Sequence, residues 1–75
     1  MLISMEPLFE LLEKIHMTLK QLAARAKISL ATLYRIRNGF NPDGTRYYPS
    51  MKILEAIMQT LHVELAEIVE FRPVD

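Results

Sequence analysis

Seven cationic side chains, Lys20, Arg25, Lys27, Arg35, Arg37, Arg46 and Lys52, fall between residues 18 and 52 of this 75-residue chain. Asp43 is the one carboxylate among them, so the stretch carries +6. Side chains of this kind suit a polyanion: Arg offers a planar fork of donors and Lys a compact point charge. The rest of the chain holds Lys14 and Arg72 against Glu6, Glu10, Glu13, Glu55, Glu64, Glu67, Glu70 and Asp75, so the formal net charge is zero. A local basic face, rather than net charge, is the electrostatic footprint of a nucleic-acid-binding surface.

Other chemistry finds little support. His16 and His62 are the only histidines and cysteine is absent; both histidines fall at predicted helix ends, without metal-ligand spacing, and read as helix-end residues. Met1, Met5, Met17, Met51 and Met58 read as core filler or the start residue. There is no glycine-rich phosphate loop, nucleophile elbow or His-Glu-x-x-His pattern. A non-enzyme without cofactor or metal is expected. Lack of cysteine fits a reducing cytoplasm. No apolar run approaches the roughly 18 residues of a membrane span, and Met1-Leu2-Ile3 lacks the basic flank of a secretion signal.

The elements that must position the cations follow from apolar spacing. Pro7 suits the first turn of a helix in which Leu8, Leu11, Leu12 and Ile15 form the inward stripe, ending near His16-Met17. Residues 1–5 are expected to be a frayed start or an apolar strip for a partner. Thr18 caps a second helix over about 19–26, with Leu22, Ala23 and Ala26 at helical spacing. Lys27-Ile28-Ser29 interrupts it, and Ser29 caps a third helix over about 30–38 that Asn38-Gly39 stops. Two short helices with so tight a link form a helix-turn-helix. With Leu33 and Ile36 turned inward, Leu30, Ala31, Thr32, Tyr34, Arg35 and Arg37 are left for recognition.

A loop follows at 40–49, with Pro42-Asp43-Gly44 as a turn. Its Thr45, Arg46, Tyr47 and Tyr48 suit phosphate bonding through hydroxyls and guanidinium; alternatively the tyrosines lid the core beside Phe40. Ser50 caps a fourth helix over about 50–62, with Met51, Leu54, Ile57, Met58 and Leu61 inward. A short fifth helix is marked by Leu65, Ile68 and Val69, with Glu64, Glu67 and Glu70 outward. Phe71 and Val74 remain as apolar residues without an inward role, available for dimer contacts. The fold class is all-α: a compact five-helix bundle forming a single domain over residues 1–75, its core at about 7–70.

Leu22-Ala23, Ile28-Ser29, the run Ala31-Thr32-Leu33-Tyr34-Arg35-Ile36, Asn38-Gly39, Pro49-Ser50-Met51 and Leu61-His62-Val63 stand in an order and spacing that resembles the lambda repressor/Cro type of helix-turn-helix, the Xre-like family of bacterial and phage regulators. The likeness covers roughly residues 7 to 70. It implies that the second helix lies across the DNA backbone while the third reads bases in the major groove. Base contacts then fall to Leu30, Ala31, Thr32 and Arg35, with Arg35 suited to guanine and Ala31 or the Thr32 methyl to a thymine methyl. Phosphate contacts fall to Leu19, Lys20, Lys27, Tyr34, Thr45, Arg46, Tyr47 and Lys52. The chain departs from the family where most members carry Gly and it has Lys27, at a backbone position that is commonly left-handed; Arg37 also replaces a common Glu, and Leu30 a more usual polar residue.

What the resemblance implies is a transcriptional regulator, a repressor that binds operator double-stranded DNA as a homodimer, with half-sites about 34–36 Å apart. The rival reading is an antitoxin-like protein-interaction module whose main partner is another protein such as a toxin, docked on the apolar termini and the acidic fifth helix. RNA binding has less support, since only Tyr47-Tyr48 offer a stacking platform.

Overall fold

In a computed structural model, which describes residues 2–72, five helices and two short strands follow one another as β1 (Leu2–Ser4), α1 (Glu6–Lys14), α2 (Leu19–Ala26), α3 (Leu30–Asn38), α4 (Met51–Leu61), α5 (Leu65–Ile68) and β2 (Glu70–Arg72). α2 packs on both α3 and α4, and α1 packs on α5. Between them lies one core of Met5, Leu8, Leu12, Leu22, Leu33, Ile36, Leu54, Ile57, Ile68 and Val69. Leu8, Leu22, Leu33, Ile57 and Ile68 are fully enclosed, each contributing about 1.5–3 kcal/mol by leaving water.

Three connections share one device. His16, Lys27 and His62 take left-handed backbone conformations, with φ of 57°, 58° and 55°. The residue after each donates its amide five residues back: Met17 to Leu12 O at 2.9 Å, Ile28 to Ala23 O at 3.1 Å and Val63 to Met58 O at 3.1 Å. This is the Schellman arrangement, which satisfies carbonyls the helix leaves without partners. Met17, Ile28 and Val63 are apolar and pack on the core, so each turn is fastened by burial as well. The histidines are thus helix-terminating residues. The left-handed position implied at Lys27 is present, and for a side-chain-bearing residue it costs about 1–2 kcal/mol.

The all-α expectation needs correction at the termini. β1 and β2 pair antiparallel, with Leu2 opposite Arg72, Ile3 opposite Phe71 and Ser4 opposite Glu70. Residues 2–5 are therefore not a frayed start, and Met5 is buried. Three-residue strands are too short to show alternation, and they meet only because α1 and α5 pack side by side. Two inward assignments also fail. Ile15 is 45% exposed because α1 ends at Lys14, so the helical stripe no longer governs its direction. Met51 is 61% exposed: it is the first residue of α4, and helical side chains lean toward the N-terminus, here past the core. Val69 is buried as expected, but in extended conformation just beyond α5. Phe71 is 56% exposed, and Val74 lies outside the described residues.

Candidate nucleic-acid interface

The α2–α3 pair is held at both starts by side-chain caps. Gln21 N donates to Thr18 Oγ1 at 3.1 Å while Thr18 N donates to Gln21 Oε1 at 2.9 Å, a reciprocal box that satisfies two otherwise unpaired amides. At the start of α3, Thr32 N donates to Ser29 Oγ at 3.1 Å, and the two hydroxyls share a 2.7 Å hydrogen bond. α4 repeats the pattern, with Ile53 N donating to Ser50 Oγ at 3.3 Å. Lys20 and Lys52 are each the second residue of a helix, exposed beside these N-termini, where the helix dipole and open amides already favour an anion.

On α3, burial of Leu33 and Ile36 fixes the rotation of the helix. Ala31, Tyr34 and Arg37 are exposed, while Leu30, Thr32 and Arg35 are half-buried. The Thr32 hydroxyl is engaged by that of Ser29. The Arg37 guanidinium lies 4.9 Å from the centroid of the Tyr34 ring, a cation–π contact that steadies both side chains. The i, i+3 spacing is the one sequence signal for that pair, whereas Thr18-x-x-Gln21 carries the sequence signature of the capping box.

The loop is a small hairpin. Phe40 and Arg46 form an antiparallel bridge, Asn41 N donates to Thr45 O at 2.7 Å, Gly44 N to Asn41 O at 3.0 Å, and Tyr47 N to Gly39 O at 3.0 Å. Gly44 takes a φ of 90°, which suits glycine. Asp43 Oδ1 accepts from the Thr45 hydroxyl at 2.6 Å and from the Thr45 amide at 2.9 Å. These bonds hold its carboxyl below the usual range, the hydroxyl having the larger effect. Asn41 Nδ2 also donates to Thr45 Oγ1, at 3.0 Å, so the Thr45 hydroxyl is already used within the hairpin.

The expected phosphate-contacting residues therefore divide. Lys20, Lys27, Tyr34, Thr45 and Lys52 are exposed. Leu19 and Tyr47 are half-buried and pack against the core, so Tyr47 acts at least partly as a lid, whereas Tyr48 is 55% exposed. Arg46 is half-buried; its Nη2 donates to Ile3 O at 3.1 Å, tying the hairpin to β1, and its Nε is enclosed without an acceptor. Its guanidinium stands 5.7 Å from the Tyr48 ring centroid.

Charge is divided by element. α2, α3, the turn between them and the hairpin carry Lys20, Arg25, Lys27, Arg35, Arg37 and Arg46 against Asp43, whereas α1 carries Glu6, Glu10 and Glu13 against Lys14 and the α5 region Glu64, Glu67 and Glu70. Among the described residues, no three His, Cys, Asp or Glu side chains gather as a metal site, and no helix is long and apolar enough to cross a membrane.

Two helices joined through a left-handed residue, the second with an open outer face, define the helix-turn-helix class. The family model for the Cro/C1-type HTH DNA-binding domain matches residues 8–73, and the chain belongs to that family of DNA-binding domains. No curated protein and no solved structure matches the chain.

Proposed function

We propose that this chain is a sequence-specific, double-stranded-DNA-binding transcriptional regulator that acts in the cytoplasm, represses by occupying an operator, and binds as a homodimer. The observation that carries the reading is the orientation of α3. The Lys27 turn and the Ser29 cap set its start, and burial of Leu33 and Ile36 turns Ala31, Tyr34 and Arg37 outward, with Leu30, Thr32 and Arg35 at the edge. Leu30, Ala31, Thr32 and Arg35 read base edges, Arg35 through a bidentate bond to guanine. Lys20, Lys27, Tyr34 and Lys52 hold the phosphates. Leu19 contributes the backbone at the start of α2, and Thr45, Arg46 and Tyr47 present the hairpin beside it. One nine-residue helix reads few bases, so a pair reading two half-sites supplies the specificity that one lacks.

Selection from a pool of random duplex DNA at two salt concentrations, followed by sequencing, tests this reading. An enriched inverted repeat with half-sites about 34–36 Å apart supports it. If Z phosphate contacts displace counterions, affinity falls with a log–log salt slope of about −0.9Z. Retention without enrichment contradicts the assigned base readers. The exposed aromatics Phe40 and Phe71, at 53% and 56%, favour a second reading, a protein-interaction module with a partner such as a toxin. Absence of duplex binding even at low salt would select it.

A further inference from the structure

A half-open groove of about 640 Å³ runs between α1 on one side and the C-terminal end of α3 and the hairpin on the other. One wall is α1, with Phe9 and the exposed carboxylates Glu10 and Glu13; the other is the end of α3 and the hairpin, with Arg37, Phe40 and Tyr48. Phe40 and Tyr48 are 53% and 55% exposed, an apolar area that the fold leaves in water. We infer that this groove is the face through which two copies of the chain associate, about a two-fold axis that sets the acidic wall of each against the cationic wall of the other.

The charge arrangement selects the occupant. Glu10 and Glu13 repel phosphate from the α1 wall, so DNA does not fill the groove even though its other side includes Arg46 and Tyr47. A partner of one sign meets repulsion from one wall whichever sign it carries. A second copy satisfies both walls at once, since in a two-fold interface every contact occurs twice with the roles exchanged. Glu10 and Glu13 of one copy then meet Arg37 of the other, and Phe40 and Tyr48 are covered at the centre, as aromatic residues are in protein interfaces. A formal net charge of zero places no long-range repulsion in the way of self-association. Because Arg37 and Phe40 flank the C-terminal end of α3, the axis passes beside the two recognition helices. The inference deepens the homodimer reading above and rests on it, but its test needs no DNA.

The test is sedimentation velocity on the full chain over a concentration series, with circular dichroism to confirm that each variant is folded. The wild-type chain should show a monomer–dimer equilibrium that weakens with salt. Glu10→Arg with Glu13→Arg, and separately Arg37→Glu, should each weaken it by about tenfold or more, tenfold being 1.4 kcal/mol. Each variant then faces like charge on its own copy. Mixed together, the two should form a heterodimer, because both wall pairs are again of opposite sign. Three results would overturn the inference: a wild-type chain that stays monomeric throughout, a dimer indifferent to both reversals, or folded variants that remain monomeric when mixed. Duplex selection on the Glu10→Arg, Glu13→Arg variant, which leaves α3 untouched, separates this failure from failure of the DNA-binding reading: DNA retention leaves the α3 reading standing whatever the association state.

Discussion

α2 and α3 are fixed differently from α1 and α5. The former begin on Thr18 and Ser29, whose hydroxyls accept helix amides, and α2 is linked to α3 through the Lys27 turn. α1 begins on Met5, a buried apolar residue that makes no side-chain cap, and α5 is a single turn held by Ile68 and the extended Val69 behind it. The basic half thus starts its helices on hydroxyl caps, whereas in the acidic half the Glu67 carboxylate accepts the Glu64 amide at 2.6 Å and Ser4 Oγ the Glu6 amide at 3.3 Å, beside burial and the β1–β2 pairing. A helix that must offer one face to a partner can bury little of itself, so local caps substitute for packing.

The largest effect is expected from Leu33→Ala, which empties the fully enclosed site where α3 meets the core. About 2–5 kcal/mol of stability should be lost, measured by urea unfolding; a smaller loss would mean that α3 is held mainly by its ends. Next comes Ser29→Ala, expected to cost about 0.5–2 kcal/mol through the open Thr32 amide. Met5→Ser should not show the converse gain, because Met5 lies in the core; a stabilised Met5→Ser would undo the distinction between the halves.

Lys27→Gly should be neutral or stabilising by about 1 kcal/mol, because it relieves a left-handed φ. In a domain of this size that raises Tm by about 4–8 °C, while DNA affinity falls slightly with the lost cation. A lower Tm would mean that Lys27 makes a compensating interaction at the helix end. The smallest effect concerns Asp43, whose folded pKa is depressed by its Thr45 bonds. The stabilisation it brings to the hairpin is present above the ordinary carboxylate pKa of about 3.9 and is lost as pH falls through the lower folded value. The protection factor of the Thr45 amide, exchange corrected for its intrinsic pH dependence, should fall over that acid range and stay flat in Asp43→Asn.

The α2–α3 unit was legible because its signals are local. A hydroxyl at each helix start, Leu22, Leu33 and Ile36 at helical spacing, and Asn38-Gly39 at the stop locate it without reference to anything distant. The left-handed turn at Lys27 was legible only through the family likeness, although Lys27-Ile28 shares with His16-Met17 and His62-Val63 a polar residue followed by an apolar plug. The terminal sheet was not legible, since Leu2–Ser4 and Glu70–Arg72 find each other through packing of α1 on α5, a non-local event. The same holds for Arg46: its residue type suggested a phosphate partner, but the carbonyl it reaches belongs to Ile3, 43 residues away in the chain. Ile15 and Met51 mark the limit of the periodic rule, which assigns direction within a helix and not at its ends.

In the proposed complex α3 reads sequence while the flanking cations hold the backbone. The most direct measurement compares Arg35→Ala with Lys52→Ala, by fluorescence anisotropy on the selected duplex and on a scrambled one. Arg35→Ala should cost about 1–3 kcal/mol on the selected duplex alone, while Lys52→Ala should weaken both duplexes alike and reduce the salt slope by about one. Equal losses on both duplexes from both substitutions would contradict the division of roles.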